Sequence, residues 1–263
     1  MAEKKPKSRL TAISESPVWK SIFRTGIPVT RRQRMMGILN NVFLHLHPVR
    51  LPKHAVKLKY TWCMGGLSFF LFLVLTISGI LLMFYYRPTV EYAYTDIMDL
   101  SEQVPLGIMR ELHRWGAHAM VIAVWLHMFR VFMTGSYKPP REFNWVVGVL
   151  LMFLTLFLSF TGYLLPWDQR AIWAITVGSN MARATPFLGH EGPGASLLAI
   201  GDINLVTMSS DVRFALLGGR FVGEGALLRF YVLHCIGLPF IIMIFMAVHF
   251  WRVRKDGGIS GPV

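Results

Sequence analysis

The stretch HRWGAHAMVIAVWLHMFR, residues 113–130, decides how this chain folds. Between Arg114 and Arg130 it holds no Asp, Glu, Lys or Arg, yet it keeps His118 and His127, and His113 opens it. Extended by Leu112 and Val131, it is long enough for a bilayer-crossing helix, which needs roughly 20 apolar residues. Ionisable side chains in such a helix are costly and point to function. His113 and His127 are 14 residues apart. At about 100° and 1.5 Å per residue they lie within roughly 60° of one helix face and about 21 Å apart along its axis.

Three further charge-free apolar runs surround this one, at residues 60–86, 143–167 and 230–251. With no water in the bilayer core, backbone amides must be satisfied within the segment, so all four runs are expected to be helices rather than open strands. The expected fold is an all-α membrane protein, a four-transmembrane-helix bundle with spans at about 62–85, 111–133, 145–166 and 229–251 and an N-terminal surface helix. An even number of spans puts both termini on one side. The chain is 263 residues long, 54% hydrophobic, with net charge +13. That charge is unevenly spread: residues 1–59 carry thirteen Lys and Arg against two acids, whereas the two loops on the opposite face carry eight basic and ten acidic residues. The positive-inside rule therefore places both termini on the cytoplasmic side, and the basic excess needs no nucleic acid to explain it.

The first 59 residues hold no apolar core of the signal-peptide kind. Residues 1–30 are expected to be a flexible basic extension. In residues 31–59, Met35, Ile38, Leu39, Val42, Phe43 and Leu46 fall at helical spacing beside Arg31, Arg32 and Arg34, a pattern for a surface helix on the membrane or against the bundle. Residues 60–263 form the four-helix domain. The connection from Asp168 to Arg229, with Pro186, Gly189, Gly192, Pro193 and Gly194, is longer than a simple loop requires. Cys63 and Cys235 lie at opposite ends of the bundle, too far apart for a disulfide.

The fourth run repeats the histidine pattern: His234 and His249 are 15 apart. The second and fourth spans run in the same direction, so His113 meets His234 near the outer end and His127 meets His249 near the inner end. A flat ligand between two parallel helices would find one imidazole on each side, and haem iron accepts such axial histidines. Zinc would require a third or fourth ligand that neither level offers. Glycines repeat the interval on the other two walls, Gly65 with Gly79 and Gly148 with Gly162, leaving room for a bulky plate. Arg110, Arg114 and Arg130 stand where haem propionates would emerge, or serve as interfacial anchors. His118 has no partner at its level and reads as structural; His45, His47, His54 and His190 have no assigned chemistry.

The stretches FYYRPTV (84–90), HRW (113–115), LHMFRVFMTGSYKPPREFNWVVG (126–148), TGYLLPWDQ (161–169), LLRFYVLH (227–234) and GISGP (258–262) resemble the cytochrome b family, most closely its split four-helix b6 form in b6f-like and menaquinol:cytochrome c reductase complexes. The resemblance covers most of residues 60–263. It implies that His113 and His234 ligate the lower-potential haem b, His127 and His249 the higher-potential one. Cys63 corresponds to the family cysteine that attaches a third haem, of c type, by a single thioether near the inner quinone site; read from the sequence alone, without a C-x-x-C-H, it is a buried structural cysteine. Trp167 and Asp168 are expected to border the outer quinol pocket.

The Pro-Glu-Trp-Tyr segment of full-length cytochromes b is missing from the sequence, which implies a subunit IV-like partner, alongside a Rieske-type iron-sulfur protein and a c-type cytochrome, in a homodimeric complex. The N-terminal extension and residues 186–225 are longer than in the chloroplast type, favouring a bacterial cytoplasmic membrane over a thylakoid. The resemblance implies a respiratory or photosynthetic chain in which quinol is oxidised near the outer face and one electron crosses to the inner quinone site. The alternatives are a dihaem anchor of a hydrogenase or formate dehydrogenase, which leaves TGYLLPWDQ and GISGP unexplained, and a histidine-relay transporter, which would stagger its histidines rather than pair them.

Overall fold

The computed structural model describes residues 13, 15–22, 29–39, 53, 57–103, 105–201 and 203–259. These residues are mainly helical: α1 (Pro17–Ile22), α2 (Arg31–Leu39), α3 (Leu58–Thr61), α4 (Met64–Met83), α5 (Ala93–Glu102), α6 (Leu106–Met133), α7 (Glu142–Leu164), α8 (Gln169–Ala182), α9 (Val212–Leu217) and α10 (Glu224–Lys255). A two-residue antiparallel hairpin, β1 (Ala199–Ile200) with β2 (Ile203–Asn204), sets Ala199 opposite Asn204.

Helices α4, α6, α7 and α10 are long and apolar enough to cross a membrane, at the four expected places. Only 11% of the most apolar window of α4, α6 and α10 is buried, and 22% of that of α7. Helices that are apolar all round yet unburied have a surface matched to lipid, not water. One departure from regular helix matters: Leu233–Gly237 in α10 is a π turn, and it contains His234. A π turn carries one extra residue, the same one by which the His234–His249 interval exceeds that of His113–His127.

The chain divides into two compact units. One comprises Met1–Leu67, Ala123–Phe153 and Met243–Val263; the other comprises Ser68–Ile122 and Leu154–Ile242. The second unit has a buried cluster built from Leu164, Trp167, Ala171, Ile175, Leu227 and Phe230. The Tyr86 hydroxyl, outside the spans, donates to the Leu165 carbonyl at 2.6 Å, and burial pushes its phenol well above the ordinary range. Asp96 accepts from the Arg87 backbone N–H, Nε and Nη2 at 2.8, 3.1 and 2.6 Å, and that guanidinium holds its carboxyl below the usual carboxylate range.

The connection after the third span, longer than a simple loop requires, holds α8, the hairpin and α9. Local capping explains why. Asp168 accepts from the Ala171 N–H at 2.8 Å and opens α8; Asp211 accepts from the Phe214 N–H at 2.7 Å and opens α9. Asp211 also pairs with His190 Nδ1 at 2.5 Å, while the Val212 N–H donates to the Leu188 carbonyl, so the two halves of this segment are latched together.

In the first unit, α1 occupies part of the stretch expected to be flexible. Helix α2 begins with a capping box, in which Gln33 Oε1 accepts from the Val29 and Thr30 N–H groups while Thr30 Oγ1 accepts from the Gln33 N–H. Its Met35, Met36 and Ile38 are exposed; Val42, Phe43 and Leu46, expected to continue the same helix, lie outside the described residues, as do His45, His47 and His54.

Candidate functional site

Each unit contains one of the histidine pairs. In the second unit, His113 of α6 faces His234 of α10 with ring centroids 6.2 Å apart and planes at 74°. Two imidazoles bonded to one metal at about 2.0–2.1 Å each, with about 1.1 Å from nitrogen to centroid, would have centroids about 6.3 Å apart. The pair is spaced as such ligands are.

Protein groups also decide which nitrogen each ring presents. Ser78, 1% exposed, donates its hydroxyl to the Val74 carbonyl at 2.8 Å and lies 2.9 Å from His113 Nδ1. With the hydroxyl proton so used, the Ser78 oxygen accepts and Nδ1 donates. His234 Nδ1 lies 3.1 Å from the Leu158 carbonyl, which can only accept, and 3.2 Å from Thr161 Oγ1, whose own proton goes to the same carbonyl. Both Nδ1 atoms therefore carry the proton, and both Nε2 atoms offer a lone pair. Metal-ligating histidines are commonly oriented this way. Ser78 and Thr161 were not singled out from the sequence, although each immediately precedes a wall glycine.

The glycines do something more specific than make general room. A Cβ at Gly79 would stand 3.1 Å from His113 Cε1, and one at Gly162 only 2.5 Å from His234 Cε1. They clear space for the imidazoles themselves.

In the first unit, His127 of α6 faces His249 of α10 with centroids 6.4 Å apart and planes at 82°, again close to the metal-bridged value. A Cβ at Gly65 would lie 3.2 Å from His127 Cε1; at Gly148 the nearest atoms are Met128 Sδ at 3.6 Å and His249 Cε1 at 3.7 Å. The pair opens onto a cavity of about 290 Å³ that Cys63, Arg130, Arg141, Asn144 and Trp145 also line. Arg130 lies over the Tyr60 ring at 4.5 Å, and its buried Nε and Nη2 have no hydrogen-bond partner among the described residues; neither does Asn144 Oδ1. Two orphaned donors of a buried guanidinium fit an anionic group such as a carboxylate.

Cys63 stands at this cavity on an unusual backbone. Trp62 and Cys63 both have left-handed φ, 51° and 54°, forming an elbow between α3 and α4. Non-glycine residues rarely adopt this conformation, and it costs free energy. The thiol is free and exposed, not buried as the sequence alone suggested. Cys235, also free and half-buried, lies in the π turn.

The remaining expected residues are placed differently. Arg110 and Arg114 both pair with Glu111, at 3.3 and 2.5 Å, so of the three arginines only Arg130 has uncommitted buried donors. Trp167 has left-handed φ of 52° and joins the buried cluster, while Asp168 caps α8. His118 is exposed, its ring edge-on to Trp115 at 5.6 Å.

The family model described as cytochrome b/b6/petB matches residues 50–192. Similar proteins include cytochrome b6 of Synechococcus elongatus, 39% identical over 203 residues, spanning 77% of this chain and 85% of the relative. Cytochrome b6 of Heliomicrobium gestii is 38% identical over 218 residues, spanning 82% and 91%. The menaquinol:cytochrome c reductase cytochrome b subunit of Bacillus subtilis is 40% identical over 205 residues, spanning 78% and 83%. Among solved structures, a chain of a hyperthermophilic respiratory Complex III superposes with TM-score 0.63 at 25% identity, over 96% of this chain and 56% of that one. This chain belongs to the cytochrome b/b6 family. With the family come haem b and a multi-pass membrane architecture, to which the paired histidines and four apolar helices correspond.

Proposed function

We propose that this chain is the haem-carrying, transmembrane electron-transfer subunit of a quinol:cytochrome c or plastocyanin oxidoreductase, catalytic within its complex. The observation that carries this reading is the pair of 6.2 and 6.4 Å imidazole separations, each fitting one metal between two rings. His113 with His234, and His127 with His249, would hold two haems b, the lower- and higher-potential centres respectively. Bound haem supplies the one-electron chemistry. The protein supplies ligation, burial and orientation: Ser78, Leu158 and Thr161 fix the tautomers, Gly79, Gly162 and Gly65 admit the rings, and Arg130 neutralises a propionate.

Cys63, presented by its elbow at the cavity of the first unit, is assigned a single thioether to a third haem, of c type. Trp167 and Asp168 shape the start of α8 and so border the outer quinol pocket. The partners are a subunit IV-like protein, a Rieske-type iron-sulfur protein and a c-type cytochrome, in a homodimer in a bacterial cytoplasmic membrane. Residues 1–59 and the tail from Arg252 lie on the cytoplasmic side, as their basic excess favours. Quinol oxidation on the outer side then delivers electrons inward.

A pyridine haemochrome assay, with haem staining after denaturing electrophoresis, tests these assignments. Wild type should yield two extractable b haems and one chain-bound haem. His234→Ala and His249→Ala should each lose one b haem, and Cys63→Ala the bound one. A chain free of haem refutes the whole reading; a wild type with no bound haem refutes the Cys63 assignment alone. A histidine-relay transporter would show no haem band at all.

A further inference from the structure

Arg252, in the last turn of α10, is completely buried, although a guanidinium normally seeks water. Its Nη1 and Nη2 donate to the carbonyls of Ile22 and Ser21, at 3.1 and 2.5 Å. These residues end α1, where the last-turn carbonyls lack partners within the helix. A cation there also meets the negative end of the helix dipole. The same guanidinium lies 3.4 Å from Asp256 Oδ1 and 5.0 Å from the centre of the Phe143 ring.

Asp256 begins a turn that only glycine accommodates without strain, since Gly257 and Gly258 have φ of 89° and 81°. From the other side, Arg141 Nη2 donates to the carbonyls of Asp256 and Gly258 at 3.1 and 3.4 Å. Arg141, Gly258 and Ile259 line the cavity that holds His127 and His249. An unbroken series of polar contacts thus runs from the end of α1 through Arg252 and Asp256 to the cavity wall, all within one unit.

We propose that α1 and Arg252 form a clamp on the turn Asp256–Ile259, so that the N-terminal extension holds the wall of the His127/His249 cavity and tunes the redox centre there. Arg252 is a positioning residue: it acts through Asp256 and does not line the cavity. What the cavity holds rests on the function proposed above; the clamp itself rests on the contacts. Without α1, two of the donors of a buried guanidinium lose their acceptors, and a buried donor left without its acceptor is costly. Arg252 then turns toward water and releases Asp256.

The test uses the intact membrane complex carrying Arg252→Gln, Arg252→Lys, deletion of residues 1–22, or the glutamine change and the deletion together. Hydrogen–deuterium exchange at residues 256–259 reports the turn, and redox titration of the two b haems reports the site. Arg252→Gln and the deletion should each speed exchange by about tenfold or more, in keeping with loss of hydrogen bonds to a charged group. Combined, they should go no further than either alone, because they break one series of contacts. The His127/His249 haem should shift in midpoint potential while the His113/His234 haem does not, and Arg252→Lys should fall nearer wild type. Wild-type exchange and potentials after the deletion would overturn the clamp. If Arg252→Gln fails to assemble, the deletion decides alone. A wild-type complex with no haem at His127 and His249 sinks the functional reading, and exchange still decides the clamp.

Discussion

Gly162 and Gly148 lie in the same helix, 14 residues apart, and alanine should be refused at one and accepted at the other. At Gly162 the new methyl would sit 2.5 Å from His234 Cε1, 3.0 Å from Nδ1 and 3.1 Å from Nε2. Non-bonded carbons settle at about 3.5–4.0 Å, so the ring must retreat by about 1 Å. It is not free to do so, because Nδ1 is held 3.1 Å from the Leu158 carbonyl, and a further ångström breaks that bond. Overpacking costs about 1–3 kcal/mol, and leaving the buried Nδ1–H donor without its carbonyl adds about 1–3 kcal/mol. Against this, alanine gains about 1 kcal/mol of helix propensity over glycine, leaving a net loss of about 1–5 kcal/mol, borne by the His234 site. At Gly148 the nearest atoms are 3.6 and 3.7 Å away, ordinary contact, and the propensity gain stands unopposed. Haem per chain, measured on purified protein, should fall from two extractable b haems to one in Gly162→Ala and stay at two in Gly148→Ala. Gly79→Ala and Gly65→Ala, with clearances of 3.1 and 3.2 Å, should fall between. Full occupancy and unchanged potentials in Gly162→Ala would refute the steric reasoning, as would haem loss in Gly148→Ala.

Ser78→Ala and Thr161→Val should weaken haem retention at the His113/His234 site by about 10–100-fold, as loss of groups that orient metal ligands commonly does, without affecting the other haem; haem loss kinetics to an acceptor protein would measure this. The His190–Asp211 latch should open in acid. Burial opposes ionisation of Asp211, but the Phe214 N–H and His190 favour it more strongly and leave its carboxyl below the usual range. Its stabilisation is therefore complete above the ordinary carboxylate range and lost as pH falls through the lowered value; proteolysis of residues 183–217 should accelerate there, and Asp211→Asn should be open at neutral pH. The Arg87–Asp96 pair has the same sign, so Asp96→Asn should remove that part of the acid sensitivity of residues 87–96, read by hydrogen exchange.

The four spans and the histidine pairing were legible because lipid imposes a severe rule: an apolar run must be a helix, and a histidine within it must be accounted for. The residues that orient those histidines were legible in principle. Ser78–Gly79 and Thr161–Gly162 repeat the same small-polar-then-glycine step, whereas Gly65 follows Met64 and Gly148 follows Val147. What hid them is that a serine in an apolar helix ordinarily bonds its own preceding turn, and Ser78 does that as well. The π turn at His234 shows in the sequence only as 15 against 14, a difference too small to interpret without backbone geometry. Helices α8 and α9 were missed because each is set by one capping aspartate, a local signal overshadowed by the glycines and prolines around it. The role of Arg252 could not be read at all, since its partners are main-chain carbonyls 230 residues away.

The Nδ1–H group of His234 carries a consequence for how charge moves. A proton donated to a buried main-chain carbonyl has nowhere to go: releasing it would leave two acceptors facing each other across 3.1 Å. With a haem held between these two rings as proposed, His234 should keep that proton whether the centre is oxidised or reduced. Electrons can then pass His234 while its proton stays behind. Proton release is left to quinol and to the groups around it, on whichever face of the membrane they stand.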